Sequence, residues 1–173
     1  VVRTEAKTTI KDTINTLKLN KPLQILCLSS LFYLTGVYAV GPMSAYYARY
    51  ILGDTGQTAT MTLVNAGIGL IITPFLPLVI GKAGKKNLFQ YCRIFTIVGG
   101  VALFFSPMGA IGLALVFLAI KGVGASLINV AMFGLEADTV EYGEWQNGVR
   151  TEGATYAIYS FTRKVTQSIG GAL

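Results

Sequence analysis

Leu135-Glu136-Ala137-Asp138-Thr139-Val140-Glu141-Tyr142-Gly143-Glu144-Trp145-Gln146-Asn147-Gly148-Val149-Arg150-Thr151-Glu152-Gly153 is a polar run set between hydrophobic blocks, and it holds five of the chain's eight acidic residues. The stretch after it, Ala154 to Leu173, has the length and bulk of a membrane helix, yet carries Arg163 and Lys164 side by side about halfway along. Cations at that depth are costly and persist only where something compensates them.

Working outward, the composition is that of a membrane protein. Hydrophobic residues make up 53% of the 173, mean hydropathy is +0.58, and the apolar residues fall in blocks rather than in an amphipathic rhythm. The formal charge of +6 does not point to nucleic acid, because the basic residues flank apolar blocks and form no patch interleaved with aromatics. There is no histidine, which excludes imidazole proton relays and histidine-based metal sites. Cys27 and Cys92 both lie inside apolar spans, where a thiol acts as a small hydrophobe. No metal site, cofactor or nucleophile–base pair is expected, and the chain does not read as an enzyme.

Upstream of the polar run, four apolar blocks read as spanning helices: about 22–46, 59–80, 88–105 and 110–134. Each is near the length that crosses about 30 Å of hydrocarbon at 1.5 Å per residue. Gly41-Pro42 is expected to kink or end the first, and Tyr46, Tyr47 and Tyr50 to anchor its exit at the interface. Pro74 and Pro77 fall toward the end of the second and need neighbouring helices to absorb them. The connections read as a polar turn at Gly53 to Gln57, a basic loop at Gly81 to Asn87 and an uncharged turn at Ser106-Pro107-Met108. With Ala154–Leu173 this gives an all-α membrane protein of about five transmembrane helices. Ahead of them, residues 1–20 show Ile10, Ile14 and Leu17 at helical spacing, with Thr9 and Asp12 placed like a capping box. That pattern fits an amphipathic surface helix, or else a solvated linker with helical bias.

Lysine and arginine number five before the first span and three after the second, against Arg49 alone after the first and none after the third. The positive-inside rule then makes the N-terminal segment cytoplasmic, and with it the polar run 135–153. The chain opens without methionine and stops in mid-helix at Gly170-Gly171-Ala172-Leu173, which reads as a fragment.

On a helical wheel, Tyr156, Tyr159, Ser160, Arg163, Lys164, Thr166, Gln167, Gly170 and Gly171 share one broad arc, opposite Ala157, Ile158, Phe161, Val165 and Ile169. The polar arc is expected to line a water-filled cavity in a helical bundle. Arg163 and Lys164 then either meet substrate or coupling ion, or pair structurally with acids on other helices. Lys121, about twelve residues into the fourth span beside Gly122, Ala125, Ser126 and Asn129, has the same two readings. No carboxylate is expected deep in any span.

The run Ala137 to Trp145, followed by Gly148 to Gly153 and Ser160-Phe161-Thr162-Arg163-Lys164, resembles the glycoside-pentoside-hexuronide:cation symporters of the major facilitator superfamily, most of all the family's glucuronide carriers. The resemblance extends from Val1-Val2-Arg3 through Asn20-Lys21-Pro22 and Gly84-Lys85-Lys86-Asn87. It implies a twelve-helix transporter, of which residues 1–20 are the middle loop and 21–173 are helices seven to eleven, the last truncated. The missing N-terminal half of the same transporter and the lipid bilayer are then the partners, and a bacterial inner membrane the location.

The resemblance also implies cation-coupled uptake, with H⁺ or Na⁺, of a glycoside or hexuronide. A membrane sensor or scaffold of the same fold is the alternative. Lys164 matches a lysine that the family's melibiose carriers place near the cation and sugar sites, and Tyr159 and Ser160 match sugar-pocket positions. Asn129 stands where those carriers have a pocket tryptophan, so stacking on sugar is not expected there. Tyr156, Arg163 and Lys121 complete the expected substrate-binding set. The family's cation-binding aspartates fall outside this chain. Asp138, Glu141, Tyr142, Glu144, Arg150 and Glu152 form an expected cytoplasmic gate, whose ion pairs close in one state and part in the other.

Overall fold

The computed structural model describes residues 10–148 and 150–173. Thr9, half of the expected capping box, lies outside them together with Val149, and Asp12 belongs to a helix whose first side chains are not described. The described residues form helices α1 (Ile10–Leu19), α2 (Lys21–Tyr50), α3 (Gln57–Ile72), α4 (Leu76–Ala83), α5 (Lys85–Phe104), α6 (Ile111–Asn147) and α7 (Glu152–Ala172), with a 3₁₀ turn at Thr73–Phe75.

Four stretches among the described residues are long and apolar enough to cross a membrane: Lys21–Tyr50, Gln57–Lys82, Lys85–Phe104 and Ile111–Gln146. They match the four expected blocks. The fifth expected span is a helix over nearly the expected residues. It stands apart in composition because Arg163, Lys164, Gln167 and several hydroxyl residues interrupt its apolar positions.

Three local readings are narrowed or corrected by the structure. Of the kink or end expected at Gly41-Pro42, the end is excluded, since α2 continues to Tyr50. Pro42 lacks the N–H that would pair with the Tyr38 carbonyl four residues back, and a membrane helix tolerates one such freed carbonyl when hydroxyls or neighbouring helices satisfy it. The basic loop at 81–87 contracts to Gly84 alone, whose φ of 76° breaks the helix between Ala83 and Lys85. The third correction concerns the polar run. It is helix, not loop, through Asn147, and only the residues from Gly148 (φ 68°) to Thr151 separate α6 from α7. Charge alone does not end a helix. The run 135–147 contains no proline, and its Gly143 is held by packing, since a Cβ there would come within 3.1 Å of Asn20 Nδ2.

The prolines of the second span are absorbed within the span itself, by the 3₁₀ turn at Thr73–Phe75. There Thr73 Oγ1 donates to the Gly69 carbonyl at 2.6 Å. The expected polar turn after α2 and the uncharged turn after α5 are both present. Gly53 takes φ 78°, Asp54 Oδ1 accepts from Gly56 N at 2.8 Å, and Gly109 N donates to the Ile51 carbonyl at 2.9 Å.

The chain divides into two compact units, residues 1–39 with 133–173, and residues 40–132. The second has a core of Ala48, Leu52, Met61, Ala114 and Leu118. Within it α5 and α6 cross closely: a Cβ on Gly99 would lie 2.6 Å from Lys121 N, and one on Gly124 would lie 2.6 Å from the Cys92 carbonyl oxygen. Small residues at such crossings let backbones approach where lipid supplies no hydrophobic drive.

The first unit is pinned by Asn20, which is fully buried. Its Oδ1 accepts from Leu23 N at 3.0 Å, capping α2, and its Nδ2 donates to the Thr139 carbonyl of α6 at 2.7 Å. At the other end of the unit Gly170 of α7 packs on α2, where a Cβ would meet Tyr38 Cβ at 2.7 Å.

Candidate functional site

The polar arc of α7 divides in two. Thr155, Tyr159, Thr166 and Gly170 are buried, whereas Tyr156, Ser160, Lys164, Gln167 and Gly171 form an exposed stripe one residue further round. Thr155, Thr162 and Thr166 turn their hydroxyls to carbonyls four residues back, at 2.6 to 3.1 Å, so their polarity is spent within the helix.

Tyr159 is only 2% exposed, and its phenol oxygen accepts from Ser30 Oγ of α2 at 3.2 Å. Here it joins two helices. Arg163, half-buried, places its guanidinium over the Phe133 ring of α6 at 4.7 Å. Glu136, one turn after Phe133 on the same helix, is 4% exposed and interacts electrostatically with Arg163. An acidic side chain is therefore buried on α6 two residues beyond the expected end of the fourth span, where the sequence reads as a loop. The Cys27 thiol of α2 meets the Thr162 hydroxyl at the same junction.

Of the expected substrate-binding residues, the first unit thus brings together Tyr159 and Arg163 on its packed side, with Tyr156, Ser160 and Lys164 on the open stripe. Lys121 and Asn129 belong to the second unit, Lys121 half-buried beside Gly99 and Asn129 exposed.

Of the expected gate residues, Arg150 is the centre. Its Nε donates to Glu152 Oε2 at 2.9 Å and its Nη1 to Glu144 Oε2 at 3.1 Å. These hydrogen bonds, to Glu152 first and then Glu144, raise the guanidinium's proton affinity above its ordinary value. Tyr142 packs its ring on Trp145 at 5.7 Å, and Asp138 and Glu141 precede Glu144 by two and one helical turns on α6.

Sequence reasoning missed Glu136, Phe133, Ser30 and Asn20. The i, i+3 spacing of Phe133 and Glu136 was available, but ending the helix at Gly134 removed the reason to look for it. Arg93 was missed too; it stacks over Phe89 at 4.1 Å on α5.

A family model described as MFS/sugar transport protein matches residues 3–173. The chain belongs to that family. Among its relatives, the glucuronide carrier protein homolog of Escherichia coli (strain K12) is 40% identical over all of this chain and 38% of its own length. An uncharacterized symporter of Bacillus subtilis (strain 168) is 29% identical over 96% of the chain and 36% of its own length. The lactose permease of Lactobacillus delbrueckii subsp. bulgaricus is 30% identical over 96% of the chain and 26% of its own length. No solved structure matches.

The chain thus spans between about a quarter and little more than a third of the length of these relatives. Membership in the MFS/sugar transport family, together with four membrane-length helices, makes this a multi-pass membrane protein. Its relatives are carriers and permeases rather than enzymes, and such carriers need no cofactor.

Proposed function

We propose that the full-length protein is a cation-coupled symporter that takes up a glycoside, specifically a glucuronide, with H⁺ or Na⁺, across a bacterial inner membrane. The carrying observation is the 40% identity, sustained along the whole chain, to a glucuronide carrier homolog. The cationic pair of α7 supports it: a hexuronide brings one negative charge, guanidinium binds carboxylate in bidentate fashion and lysine acts as a point charge. Arg163 orients the carboxylate, Lys164 reaches substrate or coupling ion from the open stripe, and Ser160 and Tyr156 complete this part of the site with the N-terminal half; Lys121 and Asn129, in the second unit, are proposed as substrate contacts by themselves.

Residues 1–20 and 135–153 lie on the cytoplasmic side in this reading, as the distribution of Lys and Arg supports. The Arg150 cluster acts there as a gate. Exposed ion pairs contribute only about 0–1 kcal/mol each, so the gate works through several pairs closing together.

The test is uptake of a labelled phenyl glucuronide and phenyl glucoside by vesicles holding the full-length protein, under imposed H⁺ or Na⁺ gradients. Glucuronide uptake that follows one of the gradients is expected. Correctly inserted protein that moves neither compound would leave a sensor or scaffold as the better description.

A further inference from the structure

Arg163 has an unusual set of neighbours for a half-buried guanidinium. One face is covered by the Phe133 ring at 4.7 Å, and no hydrogen bond to a described residue occupies its N–H groups. A guanidinium carries five N–H donors in a planar fork, so donors suited to a carboxylate are not taken by a hydrogen bond to a described residue. Among the described acids, Glu136 interacts with it electrostatically. Glu136 itself is only 4% exposed. The titratable groups that meet Glu136 are Arg163 and Tyr159 from α7 and Cys27 from α2. Among them only Arg163 brings positive charge.

A buried carboxylate is tolerated when a cation compensates it, and is neutralised by a proton when that compensation is withdrawn. A second anion arriving at Arg163 withdraws it. We infer that Arg163 is shared between Glu136 and the carboxylate of an anionic substrate, and that Glu136, an unassigned positioning and proton-exchange residue, takes up a proton from water as that substrate binds. This rests on the reading that a hexuronide carboxylate meets Arg163.

The step balances in charge. One carboxylate arrives at Arg163, one proton from solution converts Glu136 to the neutral acid, and the buried site keeps its net charge. A neutral glycoside leaves Glu136 with its cation and takes up no proton there. Glu136 thereby links recognition of charge in the substrate to proton uptake, whatever ion is bound elsewhere in the full-length carrier.

The experiment uses the full-length carrier in detergent or nanodiscs, with binding of phenyl glucuronide and phenyl glucoside measured in weakly buffered solution around neutral pH. Glucuronide should bind with more proton uptake than glucoside, an excess of at most one per molecule that grows as pH is raised above neutral. In Glu136→Gln that excess should vanish, while glucuronide affinity rises roughly three- to tenfold with the competing anion gone and glucoside affinity stays put. Arg163→Gln separates the two layers of the argument. If it weakens both ligands equally, the carboxylate reading is wrong and the inference falls with it. If it weakens glucuronide alone, but Glu136→Gln keeps the excess proton, the inference alone is overturned. Should the Gln variant not insert, Glu136→Asp, which draws the acid back from Arg163, must shift the pH midpoint of the excess. An unchanged midpoint, or no excess in the unmodified carrier, overturns it as well.

Discussion

Adjacent glycines on α5 should respond to alanine with opposite signs. A Cβ on Gly99 would lie 2.6 Å from Lys121 N and 2.9 Å from Lys121 Cα, whereas a Cβ on Gly100 meets nothing within 4 Å. Ordinary van der Waals contact for such an atom begins at 3.4 Å, so α5 and α6 must part by about 0.8 Å to admit it, against backbone that cannot swing aside. Overpacking of this kind costs about 1–3 kcal/mol. Both substitutions share the helix-propensity gain of about 1 kcal/mol from replacing glycine, which cancels in the comparison and leaves the clash. The unfolding constants of Gly99→Ala and Gly100→Ala should therefore differ by roughly five- to 150-fold, with Gly100→Ala at or above the parent in stability. Gly124→Ala meets the same interface from the other side, 2.6 Å from the Cys92 carbonyl oxygen. One separation of the helices relieves both clashes, so the double variant should lose less than the sum. Reversible denaturation of the full-length protein in detergent measures all four. Equal stabilities for Gly99→Ala and Gly100→Ala would show that the helices do not cross as described.

Asn20→Ala removes the cap of α2 and strands the Thr139 carbonyl, and should lower stability by about 1–3 kcal/mol; Asn20→Asp, which keeps the accepting oxygen, should recover part of it in the same assay. Tyr159→Phe deletes the acceptor of the Ser30 hydroxyl, and should cost about 0.5–1.5 kcal/mol with little change in glucuronide affinity; a large affinity loss in a fully stable variant would return this tyrosine to the sugar pocket. Arg150→Gln should slow turnover more than it weakens binding, and an effect confined to binding would count against the gate. Because Glu152 and Glu144 raise the proton affinity of Arg150, its contribution is complete below the guanidinium's ordinary value and is lost only as pH climbs past the raised one. The difference between parent and Arg150→Gln should then not shrink as pH rises from about 7 to 9.

Hydropathy located the helices well where lipid and helix coincide: the third span, read as 88–105, is Lys85–Phe104, and the last, read as 154–173, is Glu152–Ala172. It failed where they part company. α6 continues thirteen residues beyond Gly134 because hydrophobicity reports where a helix is apolar, and nothing in the run 135–147 breaks hydrogen bonding. The basic loop failed similarly, since polar residues at 82 and 85–87 sit comfortably in helix ends on either side of Gly84. At the site, the sequence showed that α7 has a polar arc but not which half of it is packed. That depended on Ser30, Phe133 and Glu136, which lie on other helices and carry no spacing signal relative to α7.

The division of that arc bears on how two adjacent cations come to differ. At 100° per residue, the buried stripe of Thr155, Tyr159, Thr166 and Gly170 and the open stripe of Tyr156, Ser160, Lys164, Gln167 and Gly171 have centres about 100° apart. Lys164 lies within the open stripe, about 140° from Tyr159, and a strongly hydrated ammonium on a flexible stem suits that position. Arg163 lies about 40° from Tyr159, on the border between the stripes, with Phe133 and Glu136 as neighbours and the exposed stripe of Ser160 and Lys164 beside it. A planar, weakly hydrated guanidinium can serve both sides from that border, and an ammonium cannot do so as well. Exchanging the two side chains, Arg163→Lys with Lys164→Arg, keeps charge and composition and changes only which cation stands at the border. If position decides the roles, the exchanged protein should insert and fold, yet lose most of its preference for glucuronide over glucoside. Preference retained at the parent level would mean that the pair acts as one undivided patch of positive charge, and that the border position of Arg163 has no bearing on recognition.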